Sequence, residues 1–386
     1  MLSNKNSISR KYKILISGGH LAPALSVIDN LRDNKNFDIF FIGRKHTFDN
    51  DNAISLEYQT IIKYKIPFYS ISTGRLQRKF SLETIKSLIK FPLGFLHSFL
   101  IIRNIKPDLI LSFGGYIALP VCLAGFLFRI PIVTHEQTSI LGLTNRIIGL
   151  FADKVCISFH ITKYVPKNNP KFIITGNPMR ESIINPHTKK SINTWDEKLP
   201  LILILGGSSG SHVINQTMSK LIIQLVKRYR IMHQCGNAYD DMDFNYLWSI
   251  KNSLPVRSKR NYLIQKHINT QELGNLYNQS SLIIGRSGAN TVLEIAYYKK
   301  PAILIPLSLS AEGEQNENAA FLRDLGSAII ILQNDLTPEL MLTKIDEIFE
   351  NLDTFNKNAS LAFKSFAYNG QERILSVISS VLNEKN

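Results

Sequence analysis

Short runs of consecutive apolar residues recur along the chain, each closed by a glycine-rich turn and followed by apolar positions at helical spacing. "YKILISGGHLAPALSVI" begins at Tyr12 and "LILILGGSSGSHVINQTM" at Leu201, and each reads as a strand, a Gly–Gly turn and a helix. "KPDLILSFGGYIALPVCLA" from Lys106 has its counterpart in "SSLIIGRSGANTVLEIA" from Ser280, and "FRIPIVTHE" from Phe128 in "KKPAILIPL" from Lys299. The pairs keep their order. Alternating strands and helices predict parallel sheets covered on both faces, and the ordered echo predicts two Rossmann-like halves in tandem. The expected class is α/β, with the two domains facing across a cleft. A polar, proline-bounded stretch without apolar periodicity, "NPHTKKSINTWDEKLP", sets the boundaries: an N-terminal domain at 1–185, a linker at 186–200 and a C-terminal domain at 201–369. The last apolar-periodic run, "QERILSVISSVLNEK", predicts a helix at about 370–386 that crosses back onto the first domain.

Composition agrees with two well-packed domains: 386 residues, 44% apolar and 19% charged. Cys122, Cys156 and Cys235 are scattered without metal spacing, which fits buried thiols in a reducing cytoplasm. The opening "MLSNKNSISRKYK" is polar and basic, unlike a secretory signal. Charge changes the picture more. Residues 1–200 carry 27 Lys and Arg against 13 Asp and Glu, while residues 201–386 carry 18 against 17. The excess of +14 against +1 predicts that the halves meet different partners. Nucleic acid is not expected, since no zinc-finger spacing or RNA-binding aromatic signature accompanies the charge. The segment 74–106, "GRLQRKFSLETIKSLIKFPLGFLHSFLIIRNIK", flanks Leu and Phe with basic residues. Its apolar stretch Phe91–Ile102, broken by Pro92 and Gly94, is too short to span a bilayer. An interfacial membrane-docking element and an ordinary sheet-packed helix both fit it.

Chemistry enters at the glycine turns. In open parallel sheets, ligands bind beyond the carboxyl ends of the strands, so two facing sheets can hold a nucleotide on one wall and a second substrate on the other. The turn "RSGA" before a helix offers free N–H groups and a dipole that suit a diphosphate. Glu294 lies seven residues beyond Ser287, about 10 Å along the axis, where a carboxylate suits a ribose diol. The first strand is followed by no G-x-G-x-x-G, and no G-x-x-x-x-G-K-[ST] supports an ATPase. "DDMDF", at 240–244, contains a D-x-D but sits in a polar connector and reads as a solvated loop, so no metal is expected.

The ordered set "ISTGRLQRKFS", "KPDLILSFGGY", "HEQTSILGLTN", "TGNPMR", "LGGSSGSHVINQTM", "HQCG", "GRSGANTVLEIA" and "EQNENAAFL" resembles the MurG family. These are UDP-N-acetylglucosamine:muramyl-pentapeptide-pyrophosphoryl-undecaprenol N-acetylglucosamine transferases, which convert lipid I to lipid II. The resemblance covers nearly the whole chain. It implies a B-type glycosyltransferase fold, an N-terminal domain for the acceptor lipid I and an anionic membrane surface, and a C-terminal domain for UDP-GlcNAc. It implies a peripheral enzyme at the cytoplasmic face of the plasma membrane, with no cofactor. On the donor side it implies Glu294 at the ribose, Ser287, Gly288, Ala289, Asn290 and Thr291 at the diphosphate, and Ser208 and Arg180 at the leaving UDP. It further implies Gln315 at the sugar, with Asn318 nearby, and Ile268 at uracil. Ser17, Gly18, Gly19 and Thr138 join the donor set, and Gly114, Gly115, Tyr116 and Gln137 the acceptor set.

This chain departs from the family at the first loop, "ISGGH", which is two or three residues shorter than G-G-T-G-G-H. Thr138 also stands where the family has Asn after H-E-Q. His20 is the candidate base for the muramyl 4-hydroxyl, its pKa range suiting the task, and Glu136 is the rival. Each also has a purely structural reading, His20 as a loop residue and Glu136 as an acceptor of backbone N–H groups. Three other functions stay open: a diacylglycerol-type lipid glucosyltransferase, a sugar-nucleotide epimerase, and a non-catalytic nucleotide-sugar-binding relative. The H-E-Q and G-G-Y motifs argue against the first, and "SGGH" after the first strand against the second.

Overall fold

A computed structural model of the chain describes residues 11–46, 54–74, 82–160, 162–186, 198–207, 210–237, 241–308 and 310–385. Ser208, Asp240, most of the linker stretch and all of residues 75–81 lie outside the described residues. Two compact units emerge, the first running to Arg180 and resuming at Ala367, the second spanning Glu181–Phe366.

In the first unit the strands are β1 (Tyr12–Ser17), β2 (Phe37–Gly43), β3 (Phe68–Ser70), β4 (Leu109–Ser112), β5 (Ile132–Glu136), β6 (Lys154–Ile157) and β7 (Phe172–Ile174). They form one sheet in the order β3-β2-β1-β4-β5-β6-β7, with every pair parallel. The helices α1 (Leu21–Asp33), α2 (Leu56–Lys63), α3 (Leu82–Ile105), α4 (Gly115–Leu127) and α5 (Leu143–Phe151) make the crossovers. Alternation along β1 divides the core between the faces. Ile14 and Ile16 pack with α1 and the C-terminal helix Gly370–Asn383, and Leu15 packs with α3, α4 and α5. Each of these side chains is fully buried, a gain of roughly 1.5–3 kcal/mol apiece.

The stretch that the sequence reads as broken belongs to a 24-residue helix, α3, with Pro92 inside it. Gly94 admits a close neighbour, since a Cβ there would lie 2.4 Å from the Thr73 side chain. Phe91, Phe95, Phe99 and Ile102 face the core, while Leu93, Leu96 and Leu100 on the other side are about half exposed. Among the described residues no helix is long and apolar enough to cross a membrane.

The second unit repeats the plan. Its strands are β8 (Leu201–Leu205), β9 (Arg230–Gln234), β10 (Tyr262–Gln265), β11 (Ser280–Gly285), β12 (Ala302–Leu304) and β13 (Ala328–Ile330), ordered β10-β9-β8-β11-β12-β13 and parallel throughout. The echoing sequence pairs fall on topologically equal strands: β1 with β8, β4 with β11, β5 with β12. Strand order reverses between β1 and β4 in one unit and between β8 and β11 in the other, which is where such sheets open a crevice. The three cysteines are buried, and burial pushes the Cys122 and Cys156 thiols up to about 12.

Candidate functional site

The first unit brings its two glycine turns together at that switch point. A Cβ on Gly19 would lie 2.1 Å from the Gly114 carbonyl oxygen, so the turns after β1 and β4 touch backbone to backbone. Gly114 and Gly115 hold φ of 70° and 74°, which ordinary side chains rarely adopt. Ser17, Gly18, Gly19 and His20 therefore meet Gly114, Gly115 and Tyr116 in one place. A cavity of about 290 Å³ opens there, lined by Gly19, Arg44, Glu57, Gly115, Tyr116 and neighbours. The Arg44 guanidinium stands over the Tyr116 ring at 5.1 Å.

His20 precedes α1, with Nδ1 2.8 Å from the Phe113 carbonyl oxygen. A carbonyl only accepts, so Nδ1 carries the hydrogen and the neutral ring keeps its lone pair on Nε2. That is the tautomer a proton acceptor needs. Ser17 Oγ, at the end of β1, is buried with no hydrogen-bond partner among the described residues.

Glu136, at the end of β5, is 3% exposed and spends its carboxylate on its own loop. Oε1 accepts from the Thr138 N–H at 3.1 Å and lies 2.8 Å from the Thr138 hydroxyl. Oε2 accepts from the Gly142 N–H and from Asn145 Nδ2, both at 2.9 Å. Thr138 Oγ1 also lies 2.7 Å from the Ile140 carbonyl, so its one hydrogen is shared inside the loop. Asn145 accepts from Thr134 Oγ1 at 2.8 Å and approaches Gly114, linking this loop to the glycine turn. Gln137 Oε1 is buried without a partner among the described residues. Arg180 is the last residue of the first unit before the chain enters the second; burial and Asp29 raise the Tyr64 hydroxyl above its usual range, with the Arg32 and Arg180 charges opposing.

In the second unit the turn after β11 and the helix Glu314–Asp324 are tied together. Ser287 Oγ donates to the Gln315 carbonyl at 2.8 Å, and Asn318 Nδ2 donates to the Ser287 carbonyl at 3.3 Å. Gly288 caps the helix Ala289–Tyr297, whose first turn contains Asn290 and Thr291. A Cβ on Gly288 would meet no protein atom within 4 Å, so internal crowding does not explain that glycine. Glu294, two turns in, is 8% exposed, and its Oε2 accepts from the Tyr277 hydroxyl at 2.8 Å. At the end of β9, Gln234 ties two neighbouring loops: its Nε2 donates to the Gly207 carbonyl at 3.0 Å, and its Oε1 accepts at 3.4 Å from the N–H of Ile268, one of the expected donor residues. Ser208 lies outside the described residues.

The aspartates of the D-x-D stretch are occupied. Asp241 pairs with Lys266 at 2.7 Å, and Asp243 meets His212 Nδ1 and Asn215 Nδ2, each at 2.7 Å. Among the described residues no group of three or more His, Cys, Asp or Glu could hold a metal. Glu57, Asn145, Gln234 and Tyr277 were not singled out from the sequence. Asn145 and Gln234 stand inside the quoted motifs "HEQTSILGLTN" and "HQCG", whereas nothing near Glu57 or Tyr277 marks them.

Comparison with known proteins places both halves. The glycosyltransferase family 28 N-terminal domain matches residues 17–157, and the family 28 C-terminal domain matches residues 201–374. A UDP-N-acetylglucosamine--N-acetylmuramyl-(pentapeptide) pyrophosphoryl-undecaprenol N-acetylglucosamine transferase of Bacillus cereus is 32% identical over 369 residues, 95% of this chain and 96% of its own length. The enzyme of the same name from Clostridium perfringens is 32% identical over 377 residues, 96% of this chain and 98% of its own. The crystal structure of Acinetobacter baumannii MurG superposes with a TM-score of 0.72 at 24% identity, covering 96% of this chain and 99% of that one, a likeness of fold.

Proposed function

The chain belongs to glycosyltransferase family 28, and from that premise we propose that it moves GlcNAc from UDP-GlcNAc to the muramyl sugar of lipid I, giving lipid II in peptidoglycan synthesis. The observation that carries the reading is the match along the chain: relatives named for this transfer align over 95% of it at 32% identity. The epimerase and the lipid glucosyltransferase readings have no comparable support.

The second unit holds the donor. The diphosphate sits against the N–H groups of the Ser287–Gly288–Ala289 turn and the following helix end, Glu294 accepts from the ribose hydroxyls, and Gln315 meets the sugar. The Tyr277 hydroxyl on Glu294 Oε2 supports this, because it holds the carboxylate in place. No metal assists the departure of UDP.

The first unit holds the acceptor at Gly114, Gly115, Tyr116 and Gln137. The muramyl 4-hydroxyl attacks the anomeric carbon as UDP leaves, and a single displacement converts the α-linked donor to a β1→4 link. His20 Nε2 takes the proton; the Phe113 carbonyl on Nδ1 supports that role by fixing the tautomer. Glu136 builds its loop, because four donors surround its two oxygens.

In the same reading the first unit docks peripherally on the anionic cytoplasmic face of the plasma membrane. Leu93, Leu96 and Leu100 on α3, Phe126 and Leu127 at the end of α4, and Leu150 on α5 are exposed. Phe99 touches Phe128 at 4.7 Å between ring centres and Phe126 touches Phe151 at 5.3 Å, so these helix ends form one apolar surface. Exposed Arg103, Lys106 and Arg129 rim it. Labelled GlcNAc supplied as UDP-GlcNAc to the full-length protein with a lipid I analogue tests the whole reading. Transfer to the lipid is expected; bound donor without transfer would leave only a nucleotide-sugar-binding protein.

A further inference from the structure

Glu57 is the second residue of α2, where an acidic side chain would ordinarily serve the helix end. Here Ser55 already caps the helix, accepting from the Tyr58 N–H at 3.1 Å. Glu57 turns away instead, into the cavity beside Gly19 and Tyr116. Its Oε2 accepts from the Arg44 N–H at 3.0 Å, and a hydrogen bond from the Gly19 N–H favours its charged form. One carboxylate thus bridges the turn after β1 and the loop after β2, two neighbouring parallel strands.

The backbone is shaped to admit it. A Cβ on Gly18 would lie 2.1 Å from Glu57 Oε1, and a Cβ on Gly43 would lie 2.3 Å from Oε2. Two strand-end positions are therefore bare where the carboxylate rests. Burial pushes the Glu57 carboxyl above its usual range, with the Arg44 and Gly19 N–H groups and the Arg44 charge opposing. A side chain that only had to end a helix would sit in water at no such cost.

We propose that Glu57 is a positioning residue of the acceptor half-site: its carboxylate clamps Gly18–Gly19 to the end of β2 and thereby sets the place of His20. The proposal rests on the transferase reading. Its consequence is that the Gly19 N–H is already spent on an internal anion. The acceptor diphosphate is then met by other donors, the Arg44 guanidinium over Tyr116 being the nearest cation lining the cavity.

The test uses the full-length protein and the variants Glu57→Gln and Glu57→Ala. Gln keeps the shape and one accepting oxygen but points an NH₂ at an N–H donor, so it separates charge and hydrogen bonding from volume. Turnover of a lipid I analogue should fall about 10-fold in kcat for Gln and about 100-fold for Ala, a misplaced base losing part of the 10²–10⁴ that proton transfer supplies. UDP-GlcNAc affinity by calorimetry should stay at the wild-type value, because the diphosphate, ribose and sugar contacts proposed above all lie in the second unit. Gly18→Ala should also cost activity, and should cost nothing further on top of Glu57→Ala, since its collision partner is then gone. A Glu57→Ala protein that melts earlier but keeps the wild-type kcat would reduce Glu57 to a structural residue. A Glu57→Gln protein with a lowered acceptor KM would make the carboxylate a competitor of the substrate, which also overturns the proposal. Amide exchange at Gly19 and Arg44 gives an independent reading: protection should drop in Glu57→Gln even if the wild type turns over no lipid I, and unchanged protection would refute the clamp.

Discussion

Tyr277, in the last turn of the helix before β11, donates its hydroxyl to Oε2 of Glu294, in the helix after that strand, at 2.8 Å. Stacking of Tyr277 on Tyr298, 5.4 Å between ring centres, holds the donor side of that bond. Glu294→Ala should weaken UDP and UDP-GlcNAc binding alike, by about 1.5–3 kcal/mol for charge-assisted hydrogen bonds. Tyr277→Phe should weaken both by about 0.5–1.5 kcal/mol, through the loss of one hydrogen bond. Calorimetry with UDP decides it; an unchanged Kd for Glu294→Ala removes the residue from the ribose.

His20→Ala should lower kcat by roughly 10²–10⁴-fold and leave UDP binding intact. A variant with the wild-type kcat and a raised acceptor KM would show that the residue only shapes the turn.

Asn145→Ala should destabilise the first unit without touching donor affinity. The amide serves Glu136, the His135 carbonyl and Thr134 at once, and stranding buried partners costs about 1–3 kcal/mol. Urea titration reads the loss as a lowered midpoint, and an unshifted midpoint contradicts the assignment.

His135 is fully buried, and desolvation lowers its pKa to about 4. The unfolded chain binds a proton at about 6.5, so between those values it holds more protons than the folded one, and stability falls as pH drops from about 6.5 towards 4. Between pH 7 and pH 5 this residue should cost the first unit about 2 kcal/mol, the linkage for an unfolded value near 6.5. Urea midpoints at the two pH values, compared with those of His135→Gln, isolate the term; equal pH slopes in the two proteins would rule it out.

Replacing Leu96 and Leu127 together by Ser should abolish binding to vesicles containing anionic lipid, with turnover of a short-chain soluble acceptor preserved. Wild-type binding should weaken with salt, because exposed charges are screened over about 8 Å at physiological ionic strength. Equal affinity for neutral vesicles would refute the docking surface.

The strands of both sheets could be read from the sequence because a strand buried on both faces is a run of apolar residues, and "KILIS" or "LILIL" tolerates no other periodicity. The family could be read because its motifs sit at the ends of those strands. What could not be read depends on chain folding back in space. Glu57 meets glycines 39 and 14 residues away, and their bareness looks like plain turn chemistry until the carboxylate is seen against them. Gln234 lay in a quoted motif, yet its two-sided bond to Gly207 and Ile268 follows only from the order β10-β9-β8. The sequence leaves the segment around Pro92 and Gly94 open between a docking element and an ordinary helix, and only the neighbouring Thr73, against which a Gly94 Cβ would collide, shows why a glycine stands inside that helix.

The C-terminal helix Gly370–Asn383 contributes Ile374, Val377, Ile378, Val381 and Leu382 to the core around α1 and β1. That placement reverses the order of completion on the ribosome. The second unit is continuous in sequence and can close its core once residue 366 has emerged from the exit tunnel. The first unit, although synthesised earlier, lacks the part of its core on the α1 face that this helix supplies until the helix has been made. Removing the last turns of that helix would therefore uncover the core of the half of the molecule made first.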